Sequence, residues 1–134
     1  MSQYCHWTIA NLSYRGYEAG MNITTSKFGD IGTRVVLVGK LDIAGAENIA
    51  VPLAAVAGTR SNIVVDMAAV DFIASIGIRH LVIAAKAVAR ASRMLVLLDP
   101  NPVVSEALAN AGLTDLLPIV RSEDEARTVL AGRA

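Results

Sequence analysis

Cysteine, aromatic residues and net charge are all scarce in this chain of 134 residues. A single cysteine, Cys5, excludes an intrachain disulfide and a zinc site built from several cysteines, which favours a reducing compartment. Twelve basic residues balance twelve acidic residues, giving a formal net charge of zero. The composition therefore gives no electrostatic reason to expect nucleic acid or an anionic membrane as a partner.

Long apolar runs are absent too. No uninterrupted apolar segment approaches the roughly 20 residues that a membrane-spanning helix needs. The start of the chain lacks the basic residues and apolar block of a signal peptide. We therefore expect a cytoplasmic protein that does not insert into a membrane.

The sequence is instead rich in aliphatic residues. Hydrophobic residues make up 54% of the chain and aromatic residues 4%, so Ala, Val, Ile and Leu supply most of the apolar surface. This composition is typical of a small α/β domain with a buried sheet, and the length suits one domain with a single core.

Residues 1–20 differ from the rest of the chain. They hold the single tryptophan, Trp7, and all three tyrosines, Tyr4, Tyr14 and Tyr17, and they show no steady hydrophobic period. We interpret them as a flexible N-terminal tail and residues 21–134 as the folded domain, because chain termini are usually poorly ordered unless they are tied down. The alternative is an ordered strand at the edge of the domain.

From residue 21 onward, hydrophobic periodicity predicts alternating strands and helices. Strands are predicted at Asn22–Phe28, Thr33–Val38, Asn62–Asp66, Met94–Leu98 and Leu116–Val120. Helices are predicted at Ala44–Ala57, at Ser75–Ser92, after the cap Asn101 with Pro102 at the first position, and from the capping box at Ser122 to about Leu130. The fold class is α/β, with a mixed, mostly parallel sheet of four to five strands and about four helices.

Four local features refine this prediction. Residues 29–32 supply turn chemistry and predict a hairpin between the first two strands. Pro52 predicts a kink or a break in the first helix, since proline costs about 3 kcal/mol in a helix interior. Val104, Leu108 and Ala111 are predicted to face the core. Gly112 predicts a left-handed helix end closed by Leu113.

The segment between Asn62 and Arg79 carries the main functional hypothesis. A strand is predicted to end at Asp66, a loop to carry Val70 and Phe72 inward, and Ser75 to stand ahead of the longest helix. A serine there either caps the helix or presents a reactive hydroxyl. A phosphate on it would meet the positive end of the helix dipole.

Two neighbours favour the reactive reading of Ser75. Gly77 lowers helix stability, and clearing the hydroxyl for approach by another protein would explain that cost. Arg79 lies one turn further and could pair with a phosphate.

The same helix predicts a docking surface. In the segment Ser75–Ser92, Ile78, Leu81, Val82, Ala85, Val88 and Ala89 form the predicted core stripe. Arg79, Lys86 and Arg90 then project outward, and so do Ile76 and Ile83. Isolated exposed apolar residues are normal, but two isoleucines among basic residues beside Ser75 also describe a protein contact surface.

Three segments together resemble the signature of the STAS family, of the anti-sigma factor antagonist type: Val35-Val36-Leu37-Val38-Gly39-Lys40-Leu41-Asp42, Val64-Val65-Asp66, and Val70-Asp71-Phe72-Ile73-Ala74-Ser75-Ile76-Gly77-Ile78. The resemblance covers about residues 22–130. It implies a non-enzymatic switch without cofactor or metal, which binds an anti-sigma factor kinase or a similar regulatory protein. It also implies that Ser75 is the phosphorylated residue and that Asp42 is a loop acid near it. The residues expected to contact the partner are Asp42, Ile76, Gly77, Arg79 and Ile83. A homodimer is possible, and the sequence does not decide the oligomeric state.

The sequence departs from the family pattern at one place. The family usually has Asp-Ser-Ser-Gly or Asp-Ser-Thr-Gly where this chain has Ala74-Ser75-Ile76-Gly77. The missing acid favours the alternative function, a cytoplasmic assembly subunit of a transport complex that works without phosphorylation.

An enzyme is not expected. Asp66 at a strand end would suit a receiver domain, in which an aspartate at that place accepts the phosphate. A receiver also needs further acids to hold magnesium. Only Asp42 stands in a comparable loop, and the opening hairpin gives the wrong topology. The more ordinary interpretation of Asp66 is a carboxylate that fixes a loop by bonding to backbone amides. Neither a nucleophile elbow nor a glycine-rich phosphate loop is present.

Overall fold

A computed structural model describes residues 21–131 of the chain. The prediction of a flexible tail at residues 1–20 lies outside the described residues, as does the end of the domain at 132–134. The strands are β1 (Met21–Phe28), β2 (Gly32–Leu41), β3 (Asn62–Ile73), β4 (Leu95–Leu98) and β5 (Ile119–Val120). The helices are α1 (Ile43–Ala57), α2 (Ser75–Ala89), α3 (Pro102–Asn110) and α4 (Glu123–Ala131).

The strands form one mixed sheet in the order β1-β2-β3-β4-β5. β1 and β2 are antiparallel, and their register closes at Phe28 opposite Gly32. Gly29 in the connecting turn has a φ of +57°, a left-handed conformation that favours glycine. The remaining neighbours pair in parallel. The predicted α/β class, hairpin and mostly parallel sheet are therefore confirmed.

Alternation along the strands divides the core between the two faces of the sheet. Val65 and Leu97 belong to the larger cluster, together with Ile49 and Leu53 of α1 and residues of α2 and α3. Val64 belongs to a smaller cluster on the other face, with residues of β4, β5 and α4. None of the described helices is long and apolar enough to cross a bilayer.

The third strand is longer than predicted. It continues past Asp66 to Ile73 because β2 and β3 stay paired, through register irregularities, as far as Leu41 opposite Ile73. Val70 is buried as predicted, but Phe72 is 45% exposed, so the prediction that it points inward is wrong.

The first helix runs unbroken through Pro52, so the predicted break does not occur. Proline removes one helical hydrogen bond, but Pro52 itself is buried, and Ile49 and Leu53 beside it are fully packed. Tertiary packing holds the helix together despite that loss.

Three boundaries or burial assignments also differ from the prediction. The second helix ends at Ala89, and the following turn carries Ser92 at a φ of +63°. Ala89 and Ala111 are exposed rather than turned to the core. The last strand is only Ile119–Val120, since a turn and Pro118 occupy the residues before it.

The predicted helix ends of α3 and α4 are confirmed. The Asn101 side chain accepts a hydrogen bond from the Val104 amide at 2.8 Å. Gly112 has a φ of +71°, and Leu113 packs against the core. At α4, Ser122 accepts from the Glu125 amide at 3.1 Å.

Asn62 joins three parts of the fold at the amino end of the sheet. It is 1% exposed and is the one polar residue in the buried class among residues 21–131. Its side-chain nitrogen donates to the Ile31 carbonyl at 3.1 Å, and its side-chain oxygen accepts from the Met94 amide at 2.9 Å. It thereby ties the hairpin turn and the start of β4 to the start of β3.

We predict that Asn62→Leu lowers the free energy of unfolding by about 1–3 kcal/mol, because it leaves the Ile31 carbonyl and Met94 amide without their partner. Asn110→Ala, at an exposed position of α3, should change it by no more than about 0.5 kcal/mol. Urea unfolding of both variants measures the difference. Equal stabilities would show that Asn62 does not hold the two loops.

Candidate functional site

The pairing of β2 with β3 brings the starts of two helices together. Leu41 and Ile73 are opposite each other at the ends of these parallel strands. The Ala74 amide then donates to the Leu41 carbonyl at 2.9 Å. Because α1 begins at Ile43 and α2 at Ser75, both helices start at the same end of the sheet.

Asp42 is the N-cap of α1. Its carboxylate accepts a hydrogen bond from the Gly45 amide at 2.9 Å, and the residue is half-buried. An aspartate suits this place because it satisfies a free amide and lies at the positive end of the helix dipole. Its position fixes the start of α1 next to the start of α2.

Ser75 is the first residue of α2 rather than its cap, so the capping interpretation is wrong. The N-cap is Ala74, with an extended backbone (φ −104°, ψ 168°) and no side-chain hydrogen bond to the helix. The Ala74 carbonyl accepts from the amides of Gly77 and Ile78 at 2.9 and 3.1 Å. The amides of Ser75 and Ile76 belong to the first turn, where an α-helix has no carbonyl of its own to offer them.

The Ser75 side chain is therefore exposed at a helix start that no side chain caps. Such a start favours an anion through the helix dipole and the first-turn amides. Ser75 lies in a shallow depression, whose lining residues are Ile43, Ala74, Ser75, Ile76 and Arg79. The structure thus brings together three of the predicted site residues.

Apolar surface surrounds this depression. Ile43 is 70% exposed, and Ile83, two turns along α2 from Ile76, is 52% exposed. Ile76 is half-buried, and Arg79 is exposed. Ile43 was missed by the sequence reasoning, although its place directly after the capping Asp42 could have indicated an outward side chain.

Gly77 belongs to the core and not to the surface, which corrects its assignment as a partner-contacting residue. It is buried, and a Cβ there would lie 2.5 Å from Cγ of Leu41 and 3.0 Å from the Leu41 carbonyl oxygen. The glycine lets α2 approach the end of β2 closely. This packing explains its cost in helix propensity without invoking access to the serine hydroxyl.

Asp66 does not have the position that a receiver domain requires. It lies inside β3, not at a strand end, and its carboxylate accepts from the Ala68 amide at 3.1 Å. Within residues 21–131, no group of three or more histidine, cysteine or acidic side chains could hold a metal ion. Asp66 therefore bonds to a nearby backbone amide, as the more ordinary interpretation of the sequence predicted.

Comparison with protein families matches residues 22–126 to the STAS domain. No curated protein matches the sequence. Solved structures also share the fold. Three of them are described here, and their sequence identities, all below 20%, support similarity of fold alone.

The first is an anti-sigma factor antagonist from Mycobacterium paratuberculosis, with a TM-score of 0.76 and 19% identity over 85% of this chain and 97% of that chain. The second is the anti-sigma factor antagonist SpoIIAA in its unphosphorylated form, with a TM-score of 0.67 and 17% identity over 80% and 95% of the two chains. The third is the Bacillus cell fate determinant SpoIIAA in its phosphorylated form, with a TM-score of 0.62 and 16% identity over 80% and 98%.

We predict that Gly77→Ala destabilises the domain by about 1–3 kcal/mol, since the added methyl group overpacks the contact with Leu41. Gly58→Ala is the matched control, because its Cβ would lie 3.4 Å or more from its neighbours and its φ is −71°. It should shift stability by no more than about 0.5 kcal/mol. Thermal unfolding of the two variants tests this. A neutral Gly77→Ala would mean that α2 does not depend on close approach to β2.

Proposed function

Because the chain belongs to the STAS domain family, we propose that it is a protein-interaction switch of the anti-sigma factor antagonist type. It binds an anti-sigma factor with serine kinase activity, or a similar regulatory protein, in the cytoplasm. Phosphorylation of Ser75 abolishes that binding. The protein acts by binding and not as an enzyme.

The observation that carries this proposal is the exposed Ser75 at the uncapped start of α2. A kinase needs an accessible hydroxyl, and the shallow depression around Ser75 leaves it accessible. The N-cap Ala74 offers no carboxylate near that hydroxyl, so a phosphate at Ser75 would meet no acid on the preceding residue. SpoIIAA, which has the same fold, exists in an unphosphorylated and a phosphorylated form.

The proposed partner surface consists of Ile43, Ile76, Arg79 and Ile83. Its apolar members supply buried area, and the arginine is of a type enriched in protein interfaces. Asp42 contributes indirectly, because it caps the helix that presents Ile43.

Phosphorylation would change this surface through charge. A phosphate adds about −1.5 to −2 charge at pH 7. The helix dipole and the first-turn amides favour that charge, and Arg79, which lines the same depression, lies one helical turn further along α2. The fold therefore tolerates the phosphate, while a partner packed on the apolar residues would have to bury it, which is costly for an unpaired charge.

A transport-complex subunit that uses the same domain for assembly is the second candidate. Ala74, in the place where the family usually has an acid, favours it, because a kinase that reads that acid would find only a methyl group. Assembly without phosphorylation would still use the exposed isoleucines.

We predict that Ser75→Asp weakens binding to the partner recovered from the native cell strongly, whereas Ser75→Ala retains it. Ser75→Ala should cost no more than about 0.5 kcal/mol in stability, because the side chain is exposed and is not the helix cap. Ser92→Asp adds the same charge in the turn that follows α2, where Ser92 is exposed, and serves as the control. Titration calorimetry measures all three affinities.

Loss of binding by Ser75→Asp alone supports the switch. Equal binding by Ser75→Asp and Ser75→Ala would exclude control at Ser75 and leave the assembly function. Equal loss from Ser75→Asp and Ser92→Asp would indicate a general effect of added negative charge and not control at Ser75.

A further inference from the structure

An open cleft lies at the amino end of the sheet, opposite the end that carries Ser75. Gly32 and Asn62 are paired there, where β2 and β3 begin. The cleft has a volume of about 660 Å³ and is lined by residues 26, 27, 29–33, 59–62 and 93. We call it the amino-end cleft. Its size lies within the range of sites that hold whole small molecules, about 300–1,000 Å³.

Positive charge is concentrated in the amino-end cleft. Lys27, Arg60 and Arg93 line it, and Asp30 is the one acidic lining residue among residues 21–131. Three positive charges against one negative charge leave an excess of two, although the whole chain has a formal net charge of zero. Lys27 and Arg60 are exposed. A cleft lined by charges of one sign raises the local concentration of oppositely charged molecules, so this cleft favours an anion.

The backbone of Arg60 is held in a conformation that arginine rarely adopts. Its φ is +61°, in the left-handed region that favours glycine. Glycine is also the usual residue for such a conformation just after a helix, and Arg60 follows the end of α1. Strained residues of this kind persist at ligand-binding positions, where the side chain has a function that outweighs the strain. The strain at Arg60 therefore points to a function for its guanidinium group.

A chain of hydroxyl groups fixes the loop that carries Arg60. The Thr59 hydroxyl donates to the Val56 carbonyl at 2.6 Å, which uses its one proton. At 3.1 Å from Ser61, Thr59 can then only accept, so Ser61 donates to it. Ser61 in turn accepts from Thr33 at 3.1 Å. The chain ties both neighbours of Arg60 to the start of β2, and it leaves oxygen lone pairs, not protons, for a ligand.

We propose that the amino-end cleft binds a small molecule that carries a phosphate group. Guanidinium groups match phosphate oxygens in charge and geometry, and the Lys27 ammonium adds a further donor. A phosphate monoester carries a charge of about −1.5 to −2 at pH 7, which matches the excess of two positive charges. The lone pairs of Thr33 and Ser61 suit hydroxyl groups on the rest of the ligand. The inference does not rest on the proposed switch, because Ser75 lies at the opposite end of the sheet.

Amide NMR shifts of the full-length protein locate the site during titration with ribose 5-phosphate, inorganic phosphate or ribose. We expect the largest shifts at residues 27–33, 59–62 and 93. Both phosphate probes should bind, and ribose alone should not. Tighter binding of ribose 5-phosphate than of inorganic phosphate would identify the ligand as an ester, and equal binding would identify it as the free ion.

Variants of the cleft test the roles of its cations. Arg60→Gly should weaken the binding of ribose 5-phosphate about tenfold or more, because hydrogen bonds between charged groups are the strong ones. Glycine adopts this φ without strain, so the melting temperature should not fall. Lys27→Met should also weaken binding while it keeps the apolar stem. Arg90→Ala is the matched control, since it removes a positive charge from an exposed position outside the cleft, and it should leave binding unchanged.

Four results would overturn the proposal. The largest shifts could occur at residues 75–79, which would place the anion at the start of α2. Arg60→Gly and Arg90→Ala could weaken binding equally, which would indicate general ionic attraction. Arg60→Gly could lower the melting temperature and leave binding unchanged, which would assign Arg60 to the negative end of the α1 dipole. A DNA duplex could bind through Lys27 and Arg60 more tightly than either phosphate probe, which would indicate a nucleic-acid surface.

Discussion

The contacts of Leu41 determine how the end of the domain at which α1 and α2 start is arranged. Its side chain is fully buried, its carbonyl accepts from the Ala74 amide, and its Cγ lies where a side chain on Gly77 would have to go. One residue thus ends β2, receives the chain leaving β3 and sets the depth at which α2 packs. The hydrogen bond from the Ala74 amide to the Leu41 carbonyl joins segments that are more than 30 residues apart in sequence.

This junction explains why a serine is displayed there. Since the Ala74 amide is used by Leu41, residue 74 is held extended as the N-cap, and the next side chain begins the helix facing solvent. Asp42 holds the neighbouring helix start by its own cap. Two helix starts then frame Ser75 with apolar residues and one arginine. This arrangement around Ser75 would be lost if either helix were displaced from the strand ends.

The sequence predicted the strand–helix alternation well because periodicity and cap residues are local signals. Asn101, Gly112 and Ser122 acted as expected. Tertiary effects produced the misses: pairing with β2 extended β3 through Asp66, and packing kept α1 whole at Pro52. At the site, helical spacing indicated Ile76 and Arg79, and the position ahead of the longest helix indicated Ser75. The burial of Gly77 and the exposure of Ile43 depend on neighbours distant in sequence.

Hydrogen–deuterium exchange with and without the partner recovered from the native cell shows directly whether the start of α2 binds the partner. We expect slower exchange on binding at residues 43–47 and 75–83, where the two helix starts and the exposed isoleucines lie. We expect no change in the hairpin turn at residues 29–31, at the opposite end of the sheet. Protection confined to that turn or to α4, with none at residues 75–83, would contradict the assignment of the start of α2 as the partner-binding site.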